Sequence, residues 1–239
     1  MNYQDIITSI ETQLRDYLGN GKAVIWISGG IDSAVVAALS ARAIGNKNVW
    51  GVSMPYGNQD TSDGQLVIDN LGINGREINI SEEVNGNIRK LEQVLNREIN
   101  QVTRGNLMAR ERMKVLYGFA NGLGGMVIGT GNKSELEIGY FTKYGDGGVD
   151  IEPIGDLYKT EVFEVARILG IPQRIIDKKP SAGLWEGQTD EDEFRMTYKE
   201  LDAVLKGELN QGKIYDKVQE LKRTSEHKRK TPSVFEVTK

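Results

Sequence analysis

Cysteine is absent from the 239 residues of the sequence, and histidine occurs once. Without cysteine, the chain has no disulfide framework, no zinc site with thiolate ligands and no cysteine nucleophile. Long hydrophobic runs are absent too, since no stretch approaches the roughly 20 apolar residues that a helix needs to span a bilayer. An excess of basic charge is also missing: the formal net charge is −4, which argues against general nucleic-acid binding.

What remains is the composition of an ordinary globular protein, with 38% hydrophobic and 27% charged residues. The length suits one large α/β domain over 1–239. The N-terminal residues include acidic side chains and space their apolar residues as an amphipathic helix does, unlike a signal peptide. We therefore expect a cytoplasmic protein with neither a membrane nor a nucleic-acid partner.

Short apolar runs alternate with helical patterns along the first half of the chain. Strands are predicted at 22–28, 48–54, 76–80 and 125–130. Helices are predicted at 32–45, 63–72 and 161–170, and over most of 81–122 with a break near Gly105 and Asn106. This alternation predicts a mostly parallel sheet with helices on both faces. Ligands of such sheets bind at the carboxyl ends of the strands, where 28–33 and 130–135 would lie.

The stretch "SGGIDS" (28–33) follows the first predicted strand. Adjacent glycines let the backbone pass close to a ligand, and the helix N-terminus that follows favours an anion. A phosphate-binding P-loop would carry a lysine here, whereas this chain has Asp32 and Ser33. A divalent cation such as Mg²⁺ between Asp32 and a phosphate resolves the charge conflict. The alternative is a turn capped by aspartate that binds no ligand.

These residues resemble the pyrophosphate-binding loop of the ATP pyrophosphatases, and the chain as a whole is similar to the ammonia-dependent NAD synthetases. Six stretches carry the resemblance, in family order: "SGGIDS" (28–33), "GNLMARERM" (105–113), "GTGNKSE" (129–135), "KYGDGGVDIEPIGDLYKTEV" (143–162), "PSAGLWEGQTDEDE" (180–193) and "HKRKTP" (227–232). The resemblance implies a single-domain, Rossmann-like adenine nucleotide alpha-hydrolase-type fold. It also implies a homodimer, for which the helical segment around 82–122 is the candidate interface.

The activity that the resemblance implies is amidation of deamido-NAD with ammonia, driven by ATP. Attack of the nicotinate carboxylate on the α-phosphate of ATP gives an acyl adenylate and pyrophosphate, and ammonia then displaces AMP to leave NAD. Two alternatives stay open: another amidating or thiolating ATP pyrophosphatase, and a non-catalytic adenine-nucleotide-binding module. Because the sequence contains no cysteine, we expect free ammonia, or ammonia passed from a partner, as the nitrogen source.

By the same resemblance, eight residues would contact ATP: Ser28, Gly29, Gly30, Asp32, Ser33, Thr130, Lys159 and Ser181. Asp32 and Lys159 would serve catalysis, and Asp32 and Glu135 would hold Mg²⁺. Taken alone, Glu135 also suits an acid favoured by a helix N-terminus. Lys159 taken alone also suits a solvated residue at the start of a helix.

Five further residues fall where the family holds deamido-NAD: Arg110, Lys143, Asp150, His227 and Lys228. An arginine grips a phosphate with two parallel hydrogen bonds, although a surface ion pair also accounts for Arg110. His227 lies in a charged tail, which composition alone predicts to be a solvated, frayed end. If the resemblance holds, the segment 220–239 instead folds over the substrate as a flexible lid that excludes water.

Three positions depart from the family pattern. The family usually has glycine at the position of Trp26 and commonly has aspartate at the position of Gly183, and Arg195 is also unusual. We favour Trp26 as a core residue of the first strand. Its other interpretation is a ring near the place where adenine or its ribose approaches.

Overall fold

The computed structural model describes residues 2–185 and 187–237. Within these residues four parallel strands form one sheet in the order β3-β2-β1-β4. The strands are β1 (Lys22–Trp26), β2 (Val49–Ser53), β3 (Asn74–Glu77) and β4 (Gly125–Ile128). Val24 of the central β1 pairs with Trp50 on one side and with Val127 on the other. Ala23, Val24 and Ile25 are fully buried, so this strand is covered on both faces, as an apolar run in a parallel sheet requires.

The helices in the first half of the chain are α1 (Tyr3–Leu18), α2 (Ile31–Ile44), α3 (Ser62–Leu71), α4 (Ser81–Leu95), α5 (Gln101–Leu123) and α6 (Lys133–Ile138), with a short 3₁₀ helix at Asn46–Asn48. Those in the second half are α7 (Lys159–Leu169), α8 (Gln173–Ile176), α9 (Asp190–Phe194), α10 (Tyr198–Leu205), α11 (Lys213–Thr224) and α12 (Glu226–Arg229). No helix in the described part of the chain combines the length and the apolar character needed to cross a membrane.

Two hydrophobic clusters lie on the two faces of the sheet. Helices α1, α2 and α7 pack in one cluster, and α4 and α5 pack in the other. A third, smaller cluster joins α6 to the helices α10 and α11. The parallel sheet with helices on both faces is therefore confirmed, and a helical extension is attached beyond the carboxyl ends of the strands.

The prediction of a helix break at Gly105 and Asn106 is wrong, because α5 passes through both residues without interruption. The break lies earlier, where Asn96 ends α4 in a left-handed conformation. The side chain of Asn100 then caps α5 by accepting a hydrogen bond from the backbone of Thr103. Gly105 serves packing: a Cβ at this position would lie 2.9 Å from Cδ1 of Leu184.

The predicted strands overlap the observed ones but differ at their ends. The predicted 22–28 is shortened to β1, although the N–H of Ile27 still donates to the carbonyl of Val52. The predicted 76–80 is displaced to β3, and Ile78 and Ile80 follow it with hydrogen bonds to the carbonyls of Ser53 and Pro55. In both places the chain stays hydrogen-bonded to the adjacent strand or its extension for a few residues. It then leaves the sheet and enters the loops at the carboxyl edge.

Candidate active site

The glycine turn lies between β1 and α2. Gly29 has φ +75°, and a Cβ there would approach Cβ of Asp63 to 2.8 Å, so only glycine fits without movement. Gly30 stands at the N-cap of α2 and has no side chain to occupy the first N–H groups of the helix. The hydroxyl of Ser33 donates to the carbonyl of Gly30 at 2.9 Å, and the oxygens of Ser28 and Ser33 lie 3.3 Å apart. The predicted anion cradle is thus an open helix N-terminus with two hydroxyl groups beside it.

Lys159 lies between the two carboxylates predicted to hold a metal ion. Its Nζ lies 2.5 Å from Oδ2 of Asp32 and 3.3 Å from Oε1 of Glu135. Three separate helices, α2, α6 and α7, supply these groups. The side chain of Lys159 is only 2% exposed, which rules out the interpretation of a solvated residue at a helix start.

The charges of this trio depend on one another. Burial lowers the pKa of Lys159, but the adjacent carboxylates of Asp32 and Glu135 outweigh that effect, so its pKa lies above the usual value. Burial raises the pKa of Glu135, against the opposing effect of Lys159. The ammonium group therefore stays charged and compensates carboxylates that would otherwise repel each other.

Asn132 holds the two carboxylates in place, a role that the sequence did not reveal. Its Nδ2 donates to Oδ1 of Asp32 at 3.0 Å, and its Oδ1 accepts from the backbone N–H of Glu135 at 3.1 Å. The carboxylate of Glu135 accepts in turn from the backbone N–H of Asn132, which completes a capping box at the start of α6. Glu135 therefore has both positions considered from the sequence: it is an acidic residue at a helix N-terminus, and it belongs to the site.

A second group missed by the sequence reasoning surrounds Asp190. Tyr198 is placed so that its hydroxyl reaches Oδ2 of Asp190 at 2.8 Å and Oε1 of Glu135 at 3.2 Å. Tyr140 donates to Oδ1 of Asp190 at 3.0 Å, and burial raises the pKa of Asp190. The signal in the sequence is the run "TDEDE", which caps and begins α9. One partner, Tyr198, lies in the next helix, and the other, Tyr140, follows α6 about 50 residues earlier.

A cavity of about 510 Å³ opens above the glycine turn. Its walls include the predicted ATP residues Ser28, Gly30, Asp32, Ser33, Thr130, Lys159 and Ser181. Ser181 belongs to a loop over the cavity, where its Oγ accepts from the N–H of Gly183 at 3.1 Å. Lys178 adds a positive charge that the sequence did not indicate: its Nζ lies 3.4 Å from the carbonyl oxygen of Gly29 and 2.6 Å from the carboxylate of Asp63. The volume and the lining suit a nucleotide.

The residues predicted to hold deamido-NAD lie mostly outside this cavity. Lys228 lines it and donates to the carbonyls of Gly139 and Phe141. Arg110 donates from Nε to the carbonyl of Lys143, whose Nζ donates to the carbonyl of His227. These three residues form a linked row along which the C-terminal tail contacts the loop after α6.

Asp150 lies apart from that row, beside β4. Its carboxylate accepts hydrogen bonds from the hydroxyl of Tyr117 at 3.0 Å and from the backbone N–H of Val127 at 2.8 Å. Four of the five predicted residues are therefore brought together on one side of the molecule, and the fifth is placed elsewhere.

The donor chemistry of Asp32 and Glu135 fits Mg²⁺. Mg²⁺ is usually bound by one or two carboxylates and completes its shell with water and substrate phosphates. The two side chains meet the same ammonium nitrogen, so they converge beside the anion cradle. No group of three or more His, Cys, Asp and Glu side chains suited to a metal occurs within 2–185 and 187–237.

Two of the three departures from the family pattern lie at special backbone conformations. Gly183 and Arg195 both adopt left-handed φ values, +63° and +58°, and Arg195 ends α9. Trp26 packs against the cluster that contains Val24 and Leu116. Its ring is only partly buried and also lines the large cavity, so the description as a plain core residue is incomplete.

A parallel sheet whose glycine turn faces a buried lysine and two carboxylates defines an α/β nucleotide-binding enzyme, in which the carboxyl edge of the sheet carries the chemistry. The model of the family "NAD synthase" matches residues 2–232. The chain belongs to the NAD synthase family and is a ligase.

Individual relatives agree with this assignment. The chain is 46% identical over 247 residues to the "NH(3)-dependent NAD(+) synthetase" of Pyrococcus furiosus, covering 97% of this chain and 94% of the relative. Among solved structures, NMN synthetase from Francisella tularensis is 35% identical with a TM-score of 0.92, covering 99% of this chain and 100% of the other. NH3-dependent NAD synthetase from Campylobacter jejuni is 30% identical with a TM-score of 0.81 and the same coverage.

Proposed function

We propose that this protein amidates deamido-NAD with ammonia at the expense of ATP and releases NAD, AMP and pyrophosphate. The names of its relatives support NAD as the product and ammonia as the nitrogen source. The observation that carries the proposal is the convergence of Asp32, Glu135 and Lys159 beside the glycine turn. A module that only bound a nucleotide would have no need to bury a lysine between two carboxylates at this point.

The first step makes the carboxylate reactive. A nicotinate oxygen attacks the α-phosphorus of ATP, the bond from that phosphorus to the bridging oxygen breaks, and pyrophosphate leaves with the electron pair. Negative charge grows on the leaving group, so preorganised donors at that position lower the barrier. The open N-terminus of α2, the hydroxyls of Ser28 and Ser33 and the ammonium of Lys159 are the groups proposed for this role.

Asp32 and Glu135 would hold Mg²⁺, which supplies a Lewis acid that neutralises phosphate charge when it is bound. In this proposal Lys159 keeps the two carboxylates oriented, and Asn132 fixes Asp32 by its hydrogen bond. Lys178 stands on the other side of the turn, near the carbonyl of Gly29. It is a further cation that can face the departing pyrophosphate.

The second step forms the C–N bond. Neutral ammonia attacks the carbonyl carbon of the acyl adenylate, AMP departs, and one proton is lost from nitrogen. The intermediate would be hydrolysed in open water, so the tail 220–239 is proposed as a lid over the acceptor. Lys228 supports this proposal because it ties the tail to the carbonyls of Gly139 and Phe141 at 2.7 and 2.8 Å. Residues 238–239 lie outside the described residues.

The acceptor is proposed to lie along the row formed by Arg110, Lys143 and His227. Positive side chains there suit the phosphates of a nucleotide. Asp150 lies apart from this row, and each of its two carboxylate oxygens already accepts one hydrogen bond, from Tyr117 and from Val127. It is proposed to accept a further hydrogen bond from the acceptor through a remaining lone pair of these oxygens. This placement puts the acceptor on the side of the molecule next to α5.

We also propose that the protein is a homodimer. Apolar side chains project from the α4–α5 region with large exposed fractions: Leu91 37%, Val94 83%, Leu95 48% and Val102 60%. A second copy of the chain would bury them. Sedimentation at micromolar concentration should give the mass of a dimer, and a monomer would contradict this proposal.

A second candidate acceptor is nicotinate mononucleotide. The solved structure with a TM-score of 0.92 is an NMN synthetase, and NMN is the amide of that acid. The chemistry is the same, because both acceptors share the carboxylate, the nicotinate ring and the ribose phosphate, and deamido-NAD only adds an adenylate joined to that phosphate. Another amidating or thiolating ATP pyrophosphatase would need a different acceptor altogether.

Product analysis tests the proposal. AMP, pyrophosphate and the amide should form in equal amounts, and only when ATP, Mg²⁺, ammonium and a nicotinate nucleotide are all present. Turnover of ATP at an equal rate without any nicotinate nucleotide would contradict the proposed function.

A further inference from the structure

Trp26 ends β1 at the wall of the large cavity. Its backbone pairs with Val52 of β2, and its ring projects on the side of the sheet that faces α5. Arg112 of α5 lies over the ring, with its guanidinium carbon 4.6 Å from the ring centroid. Because the side chain at this position is large, it determines how much of the cavity a ligand can occupy.

Arg112 fixes the position of the indole. It is 3% exposed, and it donates from Nε to the carbonyl of Met54 at 3.1 Å and from Nη2 to Oε1 of Gln59 at 3.0 Å. Its Nη1 is buried with no hydrogen-bond partner within the described residues. A buried guanidinium in this situation gains from the negative face of an aromatic ring. The ring and the guanidinium therefore stabilise each other, and neither moves aside easily.

The ring lies between two spaces. Behind the cavity of 510 Å³ is a second one of about 10 Å³, which is room for one water molecule. Both spaces have walls formed by Trp26, Ala109, Arg112, Thr130 and Asp146. The smaller one continues to Val149, the residue before Asp150. The indole is thus part of the wall that separates the nucleotide cavity from a small space next to the residue before Asp150.

We propose that Trp26, held by Arg112, is a specificity-determining residue for the acceptor and disfavours a dinucleotide relative to a mononucleotide. The inference rests on the proposed function. Deamido-NAD and nicotinate mononucleotide carry the same reacting carboxylate. They differ in size, and the site can therefore distinguish them by the volume that it leaves for the acceptor. The indole takes up space between the nucleotide cavity and the region of Asp150, which is one of the residues proposed to hold the acceptor. The larger acceptor needs more of this space, so the indole lowers its affinity more than that of the smaller acceptor.

The experiment compares kcat and KM for deamido-NAD and nicotinate mononucleotide in the wild-type protein and in Trp26→Ala. The structure offers a matched control, Trp50→Ala. Trp50 lies on the adjacent strand β2, is also partly buried, and is also covered by an arginine, with Arg76 at 5.0 Å. It is not among the residues that line the large cavity.

We expect Trp26→Ala to raise kcat/KM for deamido-NAD about tenfold, mainly through a lower KM, and to leave the value for the mononucleotide the same or lower. Trp50→Ala should leave the ratio of the two values within about twofold of wild type. If Trp26→Ala fails to fold, Trp26→Phe provides the test, and we expect it to raise kcat/KM for deamido-NAD about threefold.

An unchanged ratio in the folded Trp26 variants would overturn the inference and leave the proposed function standing. A rise in KM for ATP without any change in that ratio would also overturn it, because the ring would then serve ATP. Failure of the wild-type protein to amidate either acceptor would overturn the proposed function together with the inference.

Discussion

The two sides of the candidate site differ in how their charged groups are held. On the side proposed for ATP, Lys159 is 2% exposed and meets two carboxylates that are 18% and 16% exposed. On the side proposed for the acceptor, Arg110 and His227 are exposed, and the row that links them uses backbone carbonyls. The first side is assembled from the ends of buried helices, and the second from a loop and the C-terminal tail.

This difference indicates which part of the reaction each side serves. Groups that stabilise developing charge act best when they are fixed before the reaction, and buried ion pairs with several hydrogen bonds are fixed. A side that admits and releases a nucleotide must open, so its contacts are weaker and more exposed. Substitutions on the ATP side should therefore change kcat and folding stability, whereas those on the acceptor side should change KM.

Lys159→Met should have the largest effect. Its removal leaves two carboxylates without their shared cation, which typically costs about 3–5 kcal/mol of folding free energy, and we expect kcat to fall by at least about 10³-fold. Urea unfolding and steady-state kinetics measure the two quantities. Lys133→Met is the matched control, because Lys133 also begins a helix but pairs with Asp156, whose side chain is 96% exposed. The control should stay within about 0.5 kcal/mol of wild type.

Asp32→Asn should reduce kcat by about 10²- to 10³-fold, since losing one group that stabilises transition-state charge typically has this effect. The amide keeps a similar shape, so circular dichroism should show an intact fold. The concentration of Mg²⁺ that gives half-maximal activity should rise, and removal of the metal by a chelator should stop turnover. Wild-type activity in this variant, with an unchanged Mg²⁺ requirement, would show that Asp32 is not a metal ligand.

Lys228→Ala should raise KM for the acceptor about tenfold and leave KM for ATP almost unchanged. The substitution frees the tail from the carbonyls of Gly139 and Phe141. Lys230→Ala is the control, because the side chain of Lys230 is 68% exposed and pairs with the exposed Glu226, and both KM values should stay as in wild type. Equal increases of the two KM values in Lys228→Ala would show that the tail does not distinguish acceptor from ATP.

Glu152→Gln should change turnover least, and its effect should be visible instead as an altered pH dependence of stability. Burial raises the pKa of Glu152 from 4.5 to about 8, although its hydrogen bond from the N–H of Gly131 opposes this. Between these two pH values the folded protein keeps a proton that the unfolded chain has lost. The free energy of unfolding should therefore fall as pH rises toward 8, by at most ~1.4 kcal/mol per pH unit.

Glutamine at this position cannot ionise, so Glu152→Gln should gain stability over wild type as pH rises from 5 to 8. Urea midpoints at several pH values check this expectation. A stability difference that is constant with pH would show that Glu152 titrates below this range in the folded protein.

The parts of the site that are local in sequence could be predicted, and those that depend on packing could not. The turn around Gly29 and Asp32 is encoded by six consecutive residues, and its place after a strand follows from the apolar run before it. Asn132 and Asp190 were not predicted. Their hydrogen bonds, to Asp32 and from Tyr198, form only when α6 and α10 pack at the edge of the sheet.

The helix break shows the same limit. Glycine is a poor helix former, and Gly105 therefore predicts an interruption of the helix. The structure instead uses it to bring Leu184 close to the helix. That contact joins segments far apart in the sequence, and no local sequence pattern predicts it. Lys159 was placed at a helix start correctly, but only the fold decides that this start is buried.

The most direct test of this account is exchange of labelled pyrophosphate into ATP in the absence of ammonia. If the buried ATP side carries out adenylation as a separate step, label should enter ATP only when a nicotinate nucleotide and Mg²⁺ are present. Lys159→Met should abolish that exchange, whereas Lys228→Ala should retain it at saturating acceptor. Exchange that proceeds without any acceptor, or that requires ammonia, would contradict the account.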